Sequence, residues 1–243
     1  MSTETRLYVE SLEGHLVELG QAEAHHATHV LRLRAGAAVE LFDGRGARAQ
    51  GRIAHVRRSE ATVEIVERLP VAQPLLPRLH LGFAVPKGKR LDWLLEKATE
   101  LAAASLRPVV FERSVAGEDE LSDHKRQRWL GHCVSAAKQC GLDMLPDLLP
   151  PVNVHDFACA ASSAGWLCLV GDLSGPCLTP AQALTRRQER DVALLVGPEG
   201  GLADAERHLL GEADFLSVRT GSTTLRIETA AVALLAACRA LCE

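Results

Sequence analysis

The stretch Val192-Ala-Leu-Leu-Val-Gly-Pro-Glu-Gly-Gly-Leu-Ala-Asp-Ala-Glu206 decides the fold of this chain. Its first five residues are apolar throughout, which is typical of a strand covered on both faces of a parallel sheet. The three glycines that follow can adopt positive φ and let a ligand approach the backbone closely. The acids near its end suit the first turn of a helix. The stretch therefore predicts a strand, a ligand-binding loop and a helix, without the sequence of a P-loop or of the GxGxxG fingerprint.

A second glycine-led stretch, Gly221-Ser-Thr-Thr-Leu-Arg-Ile-Glu-Thr-Ala230, leads into a long apolar helix. Its threonines and Glu228 suit the N-terminal end of that helix. Arg226 does not, because a cation is unfavourable there, and it indicates an anionic or carbonyl-rich partner. A third loop, Gly171-Asp-Leu-Ser-Gly175, follows another apolar strand and is expected at the same edge of the sheet.

The region that contains these loops alternates apolar strands with helices. This pattern predicts an open α/β sheet that binds ligands beyond the carboxyl ends of its strands. The predicted strands are Leu79–Val85, Leu106–Phe111, Trp166–Val170, Val192–Val196 and Phe215–Val218. The predicted helices are Arg90–Ala104, Asp123–Cys140, Val154–Ala161, Thr179–Arg186, Leu202–Leu210 and Glu228–Leu241. A linker with three prolines, residues 69–77, precedes the region and marks a boundary.

The residues before the linker have the short alternating stretches of a small β-barrel-like domain. A hairpin turn is predicted at Asp43-Gly44, and one helix over Ala22–Leu31. Five arginines, at positions 45, 48, 52, 57 and 58, stand in a segment without an acid and could hold phosphates. A solvated strand face explains the same arginines, and the stripe alone favours that interpretation.

Composition narrows the class of protein but does not name a partner. Of the 243 residues 47% are hydrophobic, 4% aromatic and 24% charged, as in an ordinary globular protein. Seven cysteines without CxxC pairs indicate buried, reduced thiols and a cytoplasmic location. The N-terminus lacks a signal-peptide pattern, and no apolar run is long enough to span a membrane. The net charge of −4 is an average that does not exclude a local basic surface.

Other chemistries find little support. His25, His26 and His29 lack the further ligands that would complete a metal site, so no metal is expected. The chain contains neither GxSxG nor HExxH, so no hydrolase nucleophile can be named. In contrast, the basic cluster Lys87-Gly-Lys-Arg90 follows a predicted strand end and suits contact with an RNA backbone.

Together these motifs resemble the ribosomal RNA small subunit methyltransferase E family of the SPOUT superfamily. The pair GPEGG-L-x-x-x-E and G-x-x-x-LR-x-ETA is specific, and the resemblance spans nearly the whole chain. Further matching positions are Arg6–Val9, His26, His29–Arg32, Leu41–Gly46, Lys87, Arg90, Asp92, Lys97–Leu101, Arg113, Ser114, Arg128, Trp129 and Gln139. Two positions depart from the family pattern. Lys138 stands where an acidic residue is expected, and Leu142 stands where a basic residue is expected.

The resemblance implies a PUA-like RNA-binding domain over residues 1–72. It implies a SPOUT methyltransferase domain with a deep trefoil knot over residues 73–243. The cofactor would be S-adenosyl-L-methionine, bound by loops 169–172, 197–201 and 216–226. A homodimer would methylate N3 of one uridine of 16S rRNA in the small ribosomal subunit, with neither a membrane nor a metal taking part.

The motifs and the resemblance assign residues to three roles. The expected cofactor-binding residues are Leu169, Gly171, Leu195, Gly197, Pro198, Glu199, Gly200, Gly201, Leu216, Gly221 and Leu225. The expected RNA-binding residues are Arg6, Arg32, Arg45, Arg48, Arg52, Lys87 and Arg90. The catalytic assignments are Arg226, which is hypothesised to stabilise charge on the uracil carbonyls, and Glu228, which would orient Arg226 or cap the helix. No general base is assigned.

Two other functions are left open by the sequence. A SPOUT methyltransferase acting on tRNA or on a ribose 2′-hydroxyl would share the three loops, although the His and Arg pattern of the N-terminal domain favours the base-methylating family. A non-catalytic RNA-binding or ribosome-assembly protein would need no cofactor, so binding of S-adenosylmethionine would count against it.

Overall fold

The computed structural model describes residues 5–57, 60–114 and 121–242. The chain divides into two compact units. The N-terminal unit comprises Met1–Pro74 and Ala137–Leu145, and the C-terminal unit comprises Leu75–Ala136 and Pro146–Glu243. The N-terminal unit therefore includes a short segment from the middle of the chain, which the position of the linker did not indicate.

The N-terminal unit contains a five-stranded sheet in the order β1-β3-β4-β5-β2. β1 pairs with β3 in parallel, and the other pairs are antiparallel. Alternate residues of the strands, such as Leu7, Leu41, Ile53 and Val63, form a buried core. The strands are β1 Thr5–Tyr8, β2 Leu16–Glu18, β3 Ala38–Phe42, β4 Arg48–Arg57 and β5 Glu60–Arg68.

The turn predicted at Asp43-Gly44 is confirmed, since it connects the antiparallel strands β3 and β4. Asp43 Oδ1 accepts hydrogen bonds from two backbone amides of the loop at 2.8 and 3.0 Å, and Gly44 has a φ of +72°. The predicted helix Ala22–Leu31 is also present, but it changes its hydrogen-bonding pattern midway. It consists of α1, Gln21–His25, and a π-helical turn, His26–Val30.

The C-terminal unit contains a parallel sheet in the order β12-β10-β11-β6-β7-β8, with β9 beside β7. The predicted α/β class with a parallel sheet is therefore confirmed. All five residues of β11 are buried, as expected for an apolar strand in the interior of a covered sheet. The strands are β6 Leu79–Phe83, β7 Ala103–Val110, β8 Asp147–Leu148, β9 Val152–Asn153, β10 Leu167–Gly171, β11 Val192–Val196 and β12 Leu216–Val218.

The remaining helices form where the sequence predicted them, within two residues at every boundary except one. They are α2 Lys89–Glu100, α3 Asp123–Cys140, α4 Val154–Ser163, α5 Pro180–Leu184, α6 Asp204–Glu212 and α7 Ile227–Cys242. The first was expected to continue to Ala104, but β7 already begins at Ala103. Ala102 turns the chain with a φ of +53°, and pairing with β6 then overrides the helical preference of the alanines. None of the described helices is long and apolar enough to cross a membrane.

The prediction that the cysteine thiols are buried is wrong for four of the seven, because Cys140 and Cys159 are exposed and two others are only partly buried. Burial raises the pKa of Cys133 and of Cys168 to about 11, and that of Cys238 to about 12. The thiolate is the reactive form of cysteine, and the buried thiols stay protonated at neutral pH. We expect iodoacetamide at pH 7.5 to label the two exposed cysteines of the native protein and to spare the three buried ones, as read by peptide mass spectrometry. Equal labelling of both classes, as expected only after denaturation, would contradict this.

Candidate functional site

The carboxyl ends of three neighbouring strands meet at one edge of the C-terminal sheet. Gly171, at the end of β10, pairs with Val196 of β11 on one side and with Val218 of β12 on the other. The loops that follow the three strands therefore start side by side, which confirms that they share an edge. In open parallel sheets ligands bind at such an edge.

A cavity of about 340 Å³ lies among these loops. It is lined by residues 171–174, 196–202, 207, 218–221, 223–225, 227 and 230. A Cβ on Gly197 would stand 2.9 Å from Cδ2 of Leu202, and Gly201 has a φ of +71°. Glycine avoids both the contact and the strain. The backbone of the loop after β11 is thus open to the cavity, as the sequence predicted. We call this space the larger cavity, because it is the larger of two cavities that adjoin each other.

Charged side chains form one wall of the larger cavity. Arg207 Nε lies 3.1 Å from Asp172 Oδ2, and the same guanidinium donates to Ser174 Oγ at 3.2 Å and to Asp204 Oδ1 at 2.9 Å. The side chain of Asp172 is only 11% exposed. These bonds hold a carboxylate and a guanidinium side by side, so the wall can meet a ligand that carries both signs of charge.

Most of the residues predicted to bind the cofactor line the larger cavity. These are Gly171, Gly197, Pro198, Glu199, Gly200, Gly201, Gly221 and Leu225. Leu169, Leu195 and Leu216 instead lie inside β10, β11 and β12 and are not among its lining residues. Sequence reasoning missed Asp172 and Arg207. Asp172 lies in the loop Gly171–Gly175, whose position was predicted. Arg207 reaches the cavity from α6 and belongs to no motif of the sequence.

A smaller cavity of about 170 Å³ adjoins the larger one. Pro198, Glu199 and Ile227 line both of them. The rest of its lining consists of Ala84, Val85, Lys87, Arg90 and Ser114. Two of the residues predicted to contact RNA, Lys87 and Arg90, therefore face a space that shares a wall with the predicted cofactor site.

Arg90 is the charged centre of the smaller cavity. Its Nη1 lies 3.3 Å from Glu199 Oε1 and 4.0 Å from Glu228 Oε2. Glu228 lies in the first turn of α7 and is 7% exposed. Its Oε2 is buried and finds no hydrogen-bond partner among the described residues. This carboxylate therefore faces Arg90 at ion-pair distance without a hydrogen bond.

Arg226, the predicted catalytic residue, is exposed. It precedes α7, and its carbonyl accepts the amide of Ala230 at 2.8 Å. Its neighbours Leu225 and Ile227 line the larger cavity, but Arg226 is not among the described residues that line either cavity. Its side chain thus stands at the rim and does not meet Glu228 in any hydrogen bond or ion pair of the described residues.

A third cavity, of about 600 Å³, opens between the starts of α2 and α3. Most of its polar lining is basic, namely Lys87, Lys89, His124, Lys125 and Arg128, with Asp92 as the acid. Lys87 lines this cavity and the smaller one. A cationic surface therefore extends from the smaller cavity along the start of α2.

The arginines predicted to bind RNA in the N-terminal unit differ in their surroundings. Arg32 and Arg45 are exposed. Arg52, also exposed, pairs across strands with Glu64, and Arg57 with Glu60, so acids of β5 accompany the predicted stripe. Arg48 is partly buried, and its Nη1 lies 3.5 Å from Asp143 Oδ2. The last arginine of the stripe, Arg58, lies outside the described residues.

Arg6 has a packing role in this unit. Its guanidinium binds the carboxylates of Glu40 and Asp143 and donates to the carbonyls of Ala137 and Leu142, and its side chain is 11% exposed. Because these partners occupy the donors of the guanidinium, the structure favours a packing role for Arg6 over contact with RNA.

The two departures from the family pattern also lie in this unit. Lys138 Nζ donates to both carboxylate oxygens of Glu23 at 2.9 Å, and the carbonyl of Leu142 accepts from Arg6 at 3.1 Å. A lysine at 138 thus has an acid to pair with, and the side chain at 142 is not needed for the hydrogen bond that its backbone makes.

Among the described residues, no three His, Cys, Asp or Glu side chains are grouped as metal ligands would be.

Comparisons with known proteins agree with this arrangement. Residues 73–239 match the family described as the RNA methyltransferase domain, and residues 19–66 match the RNA methyltransferase PUA domain. A methyltransferase structure from Legionella pneumophila, in complex with the bound cofactor SAM, has a TM-score of 0.84 at 31% identity and covers 98% of this chain and 97% of its own. The sheet, its cavity and these matches define the class of protein as RNA methyltransferases.

Relatives named ribosomal RNA small subunit methyltransferase E narrow the class. The relative from Synechocystis is 31% identical over 93% of this chain and 74% of its own length, and that from Mycobacterium bovis is 31% identical over 95% and 89%. The chain belongs to the ribosomal RNA small subunit methyltransferase E family. The structure of the member from Neisseria gonorrhoeae, bound to S-adenosyl methionine, has a TM-score of 0.84 at 28% identity and covers 96% of both chains.

Proposed function

We propose that this protein transfers a methyl group from S-adenosylmethionine to N3 of a uridine in 16S rRNA of the small ribosomal subunit. The observation that carries the proposal is the glycine-walled larger cavity with a smaller, cationic cavity against the same wall. A methyl donor in the first and an acceptor base in the second would lie next to each other. Membership of the small subunit methyltransferase E family supports the choice of RNA.

The residues of the larger cavity fit S-adenosylmethionine. This compound has a flat base, a ribose with hydroxyls, and an amino-acid group with both signs of charge. Leu202 and Ile227 offer apolar surface, Thr224 a hydroxyl, and Asp172 and Arg207 opposite charges. The relatives from Legionella pneumophila and Neisseria gonorrhoeae hold the same compound, which supports it as the cofactor here.

The cofactor, when bound, supplies a sulfonium methyl: the N3–carbon bond forms as the carbon–sulfur bond breaks, the electron pair stays on sulfur, and the N3 proton leaves to solvent. The protein's part is to hold the acceptor in line and to stabilise the charge that develops on it. Because uridine N3 is hidden in a base pair, the base has to be unpaired or flipped to enter. Cations at the smaller cavity can stabilise the resulting oxyanion.

RNA contact is proposed for the exposed cations of both units. The basic lining of the third cavity can bind phosphates close to the acceptor base. Arg32, Arg45 and Arg52 of the PUA-matching region are exposed and can do the same. Arg6 is left out of this set, because its donors are used within the N-terminal unit.

The remaining proposals rest on the family resemblance. The protein would form a homodimer and act in the cytoplasm, where small ribosomal subunits are located. Each chain would consist of a PUA-like domain over residues 1–72 and a SPOUT domain over residues 73–243. A deep trefoil knot is also proposed. Its support is that β12 pairs with β10 while α7, which follows it, packs on β6, β11 and α2.

Nucleoside mass spectrometry tests the reaction. Small-subunit rRNA from cells that lack the gene should contain less 3-methyluridine than rRNA from complemented cells, and purified protein with S-adenosylmethionine should restore it on isolated subunits. Appearance of a 2′-O-methyl nucleoside, or of a methylated tRNA, would replace the proposed acceptor. Absence of any methyl product, with no binding of S-adenosylmethionine, would favour the non-catalytic RNA-binding protein.

We propose that Arg226 contacts the RNA from the rim of the larger cavity. Arg226→Ala should raise the KM for small subunits by about tenfold, the loss expected for one charge-assisted hydrogen bond. The Kd for S-adenosylmethionine, measured by calorimetry, should not change, because Arg226 does not line the cavity. Arg186→Ala removes another exposed arginine of the same unit and serves as the control. An unchanged KM, or a weakened cofactor affinity, would contradict this role.

A further inference from the structure

The smaller cavity has the size and position of a site for one base. Its volume, about 170 Å³, is an order of magnitude above the roughly 10–15 Å³ that one water molecule needs. It shares Pro198, Glu199 and Ile227 with the larger cavity. A ring held in the smaller cavity therefore lies against whatever occupies the larger one.

The lining of the smaller cavity suits the edge of a uracil. That edge carries two carbonyl oxygens on either side of an N–H group. When the proton leaves, negative charge spreads over both oxygens, and Lys87 and Arg90 supply the two cations that stabilise it. Cytosine has no such acidic N–H between two carbonyls and develops no such anion. Ala84, Val85 and Ile227 offer apolar surface for the faces of the ring.

The buried carboxylate behind Arg90 has an unusual setting. Glu228 is 7% exposed, and its Oε2 is buried without a hydrogen bond among the described residues. A buried carboxylate of this kind is costly unless it is paired, and Arg90 Nη1 is 4.0 Å away. Glu199, on the cavity wall, approaches the same nitrogen at 3.3 Å. Both carboxylates therefore lie within ion-pair distance of the same guanidinium nitrogen at the cavity.

We propose that the smaller cavity is the acceptor-base site, in which Arg90 and Lys87 bind the carbonyl oxygens of an unpaired uracil and Glu228 positions Arg90. This inference rests on the proposed methylation of uridine N3 and assigns the residues that select and activate the base. Arg90 and Lys87 touch the substrate, whereas Glu228 acts through Arg90 and is a positioning residue.

The cations should make the bound uracil more acidic. A cation within about 4–6 Å of an ionising group stabilises its anion and lowers the pH at which the proton is lost, typically by 1–3 pH units. Loss of Arg90 should therefore reduce kcat at neutral pH and move the rise of kcat to higher pH. A residue that only binds the RNA backbone would change KM and leave that profile in place.

The test measures kcat against pH on isolated small subunits with saturating S-adenosylmethionine. For Arg90→Gln we expect kcat to fall about 10- to 100-fold at pH 7.5, to recover partly as the pH rises, and the calorimetric Kd of S-adenosylmethionine to stay unchanged. Lys89→Gln lies on the third cavity but not on the smaller one, and it should raise KM without shifting the pH profile. An unshifted profile in Arg90→Gln, with a raised KM alone, would overturn the proposal.

A double-mutant cycle tests the role of Glu228. Glu228→Gln should shift the pH profile in the same direction as Arg90→Gln, and the double variant should be no slower than Arg90→Gln alone. Glu228→Asp, which keeps the charge, should recover part of the activity. Additive losses, or a weaker Kd for S-adenosylmethionine in Glu228→Gln, would instead show a role in folding or in the cofactor cavity and overturn the assignment.

Failure of this inference is separable from failure of the proposed function. If the wild-type protein forms no 3-methyluridine, the proposed reaction is wrong. If it forms 3-methyluridine but the variants keep the wild-type pH profile, the reaction stands and the acceptor base is bound elsewhere.

Discussion

Replacing Arg6 with methionine is expected to lower the free energy of unfolding of the N-terminal unit by up to about 3–5 kcal/mol, the cost of removing one partner from a fully buried ion pair, because this network is mostly shielded from solvent. Arg6 Nε donates to Glu40 Oε1 at 2.8 Å, and its other nitrogens reach Asp143 and the carbonyls of Ala137 and Leu142. The side chains of Glu40 and Asp143 are 18% and 11% exposed. Methionine keeps much of the stem but leaves Glu40 without its cation, and it leaves Asp143 with Arg48 alone, at 3.5 Å.

Local hydrogen exchange measures this loss where it occurs. Amides of β1 and of residues 137–145 should exchange faster in Arg6→Met, because both segments depend on the same guanidinium. Arg34→Met, at an exposed position of the same unit, should change stability by no more than about 0.5 kcal/mol. Equal exchange in the two variants would show that the Arg6 network contributes nothing beyond a surface pair.

The Arg6 network also shows where sequence reasoning ends. The sequence indicated a cation at position 6 and a family that binds RNA, and from these we predicted an RNA contact. The carbonyl partners of Arg6 lie 131 and 136 residues away, in a segment that joins the N-terminal unit only in three dimensions. No local pattern announces such a contact, so a structural arginine and a ligand-binding arginine look alike in the sequence.

The cofactor loops, in contrast, could be found from the sequence. An apolar stretch predicts a buried parallel strand, and parallel strands place their carboxyl ends at one edge, so the loops after β10, β11 and β12 had to meet. What the pattern does not give is the direction of each side chain. Arg226 lies in the specific motif yet stands at the rim, whereas Arg90 approaches Glu199 across 109 residues of sequence. Leu169 and Leu195 lie on the strands that lead to these loops, but their side chains are fully buried in the core.

Replacing Gly197 with alanine is expected to weaken binding of S-adenosylmethionine about 10- to 100-fold. The added Cβ would stand 2.9 Å from Leu202 Cδ2 and 3.9 Å from Phe111 Cε1. Leu202 is 2% exposed, so it cannot move away into solvent. Overpacking of such a site costs about 1–3 kcal/mol, and the loop has to shift into the cavity that it lines. Since every 1.4 kcal/mol is a tenfold change in affinity, this strain accounts for the expected loss.

Gly211→Ala is the matched control, because its Cβ meets nothing within 4 Å and it lies in α6, away from the cavity lining. Alanine is a better helix former than glycine, so this variant should unfold at the same or a higher temperature. Calorimetry should then give a wild-type Kd for Gly211→Ala and a raised Kd for Gly197→Ala at equal fold content. A wild-type Kd in Gly197→Ala would mean that the loop after β11 does not touch the cofactor. In that case the glycines are needed only for the conformation of the turn, and the proposal that the larger cavity binds the methyl donor would be wrong.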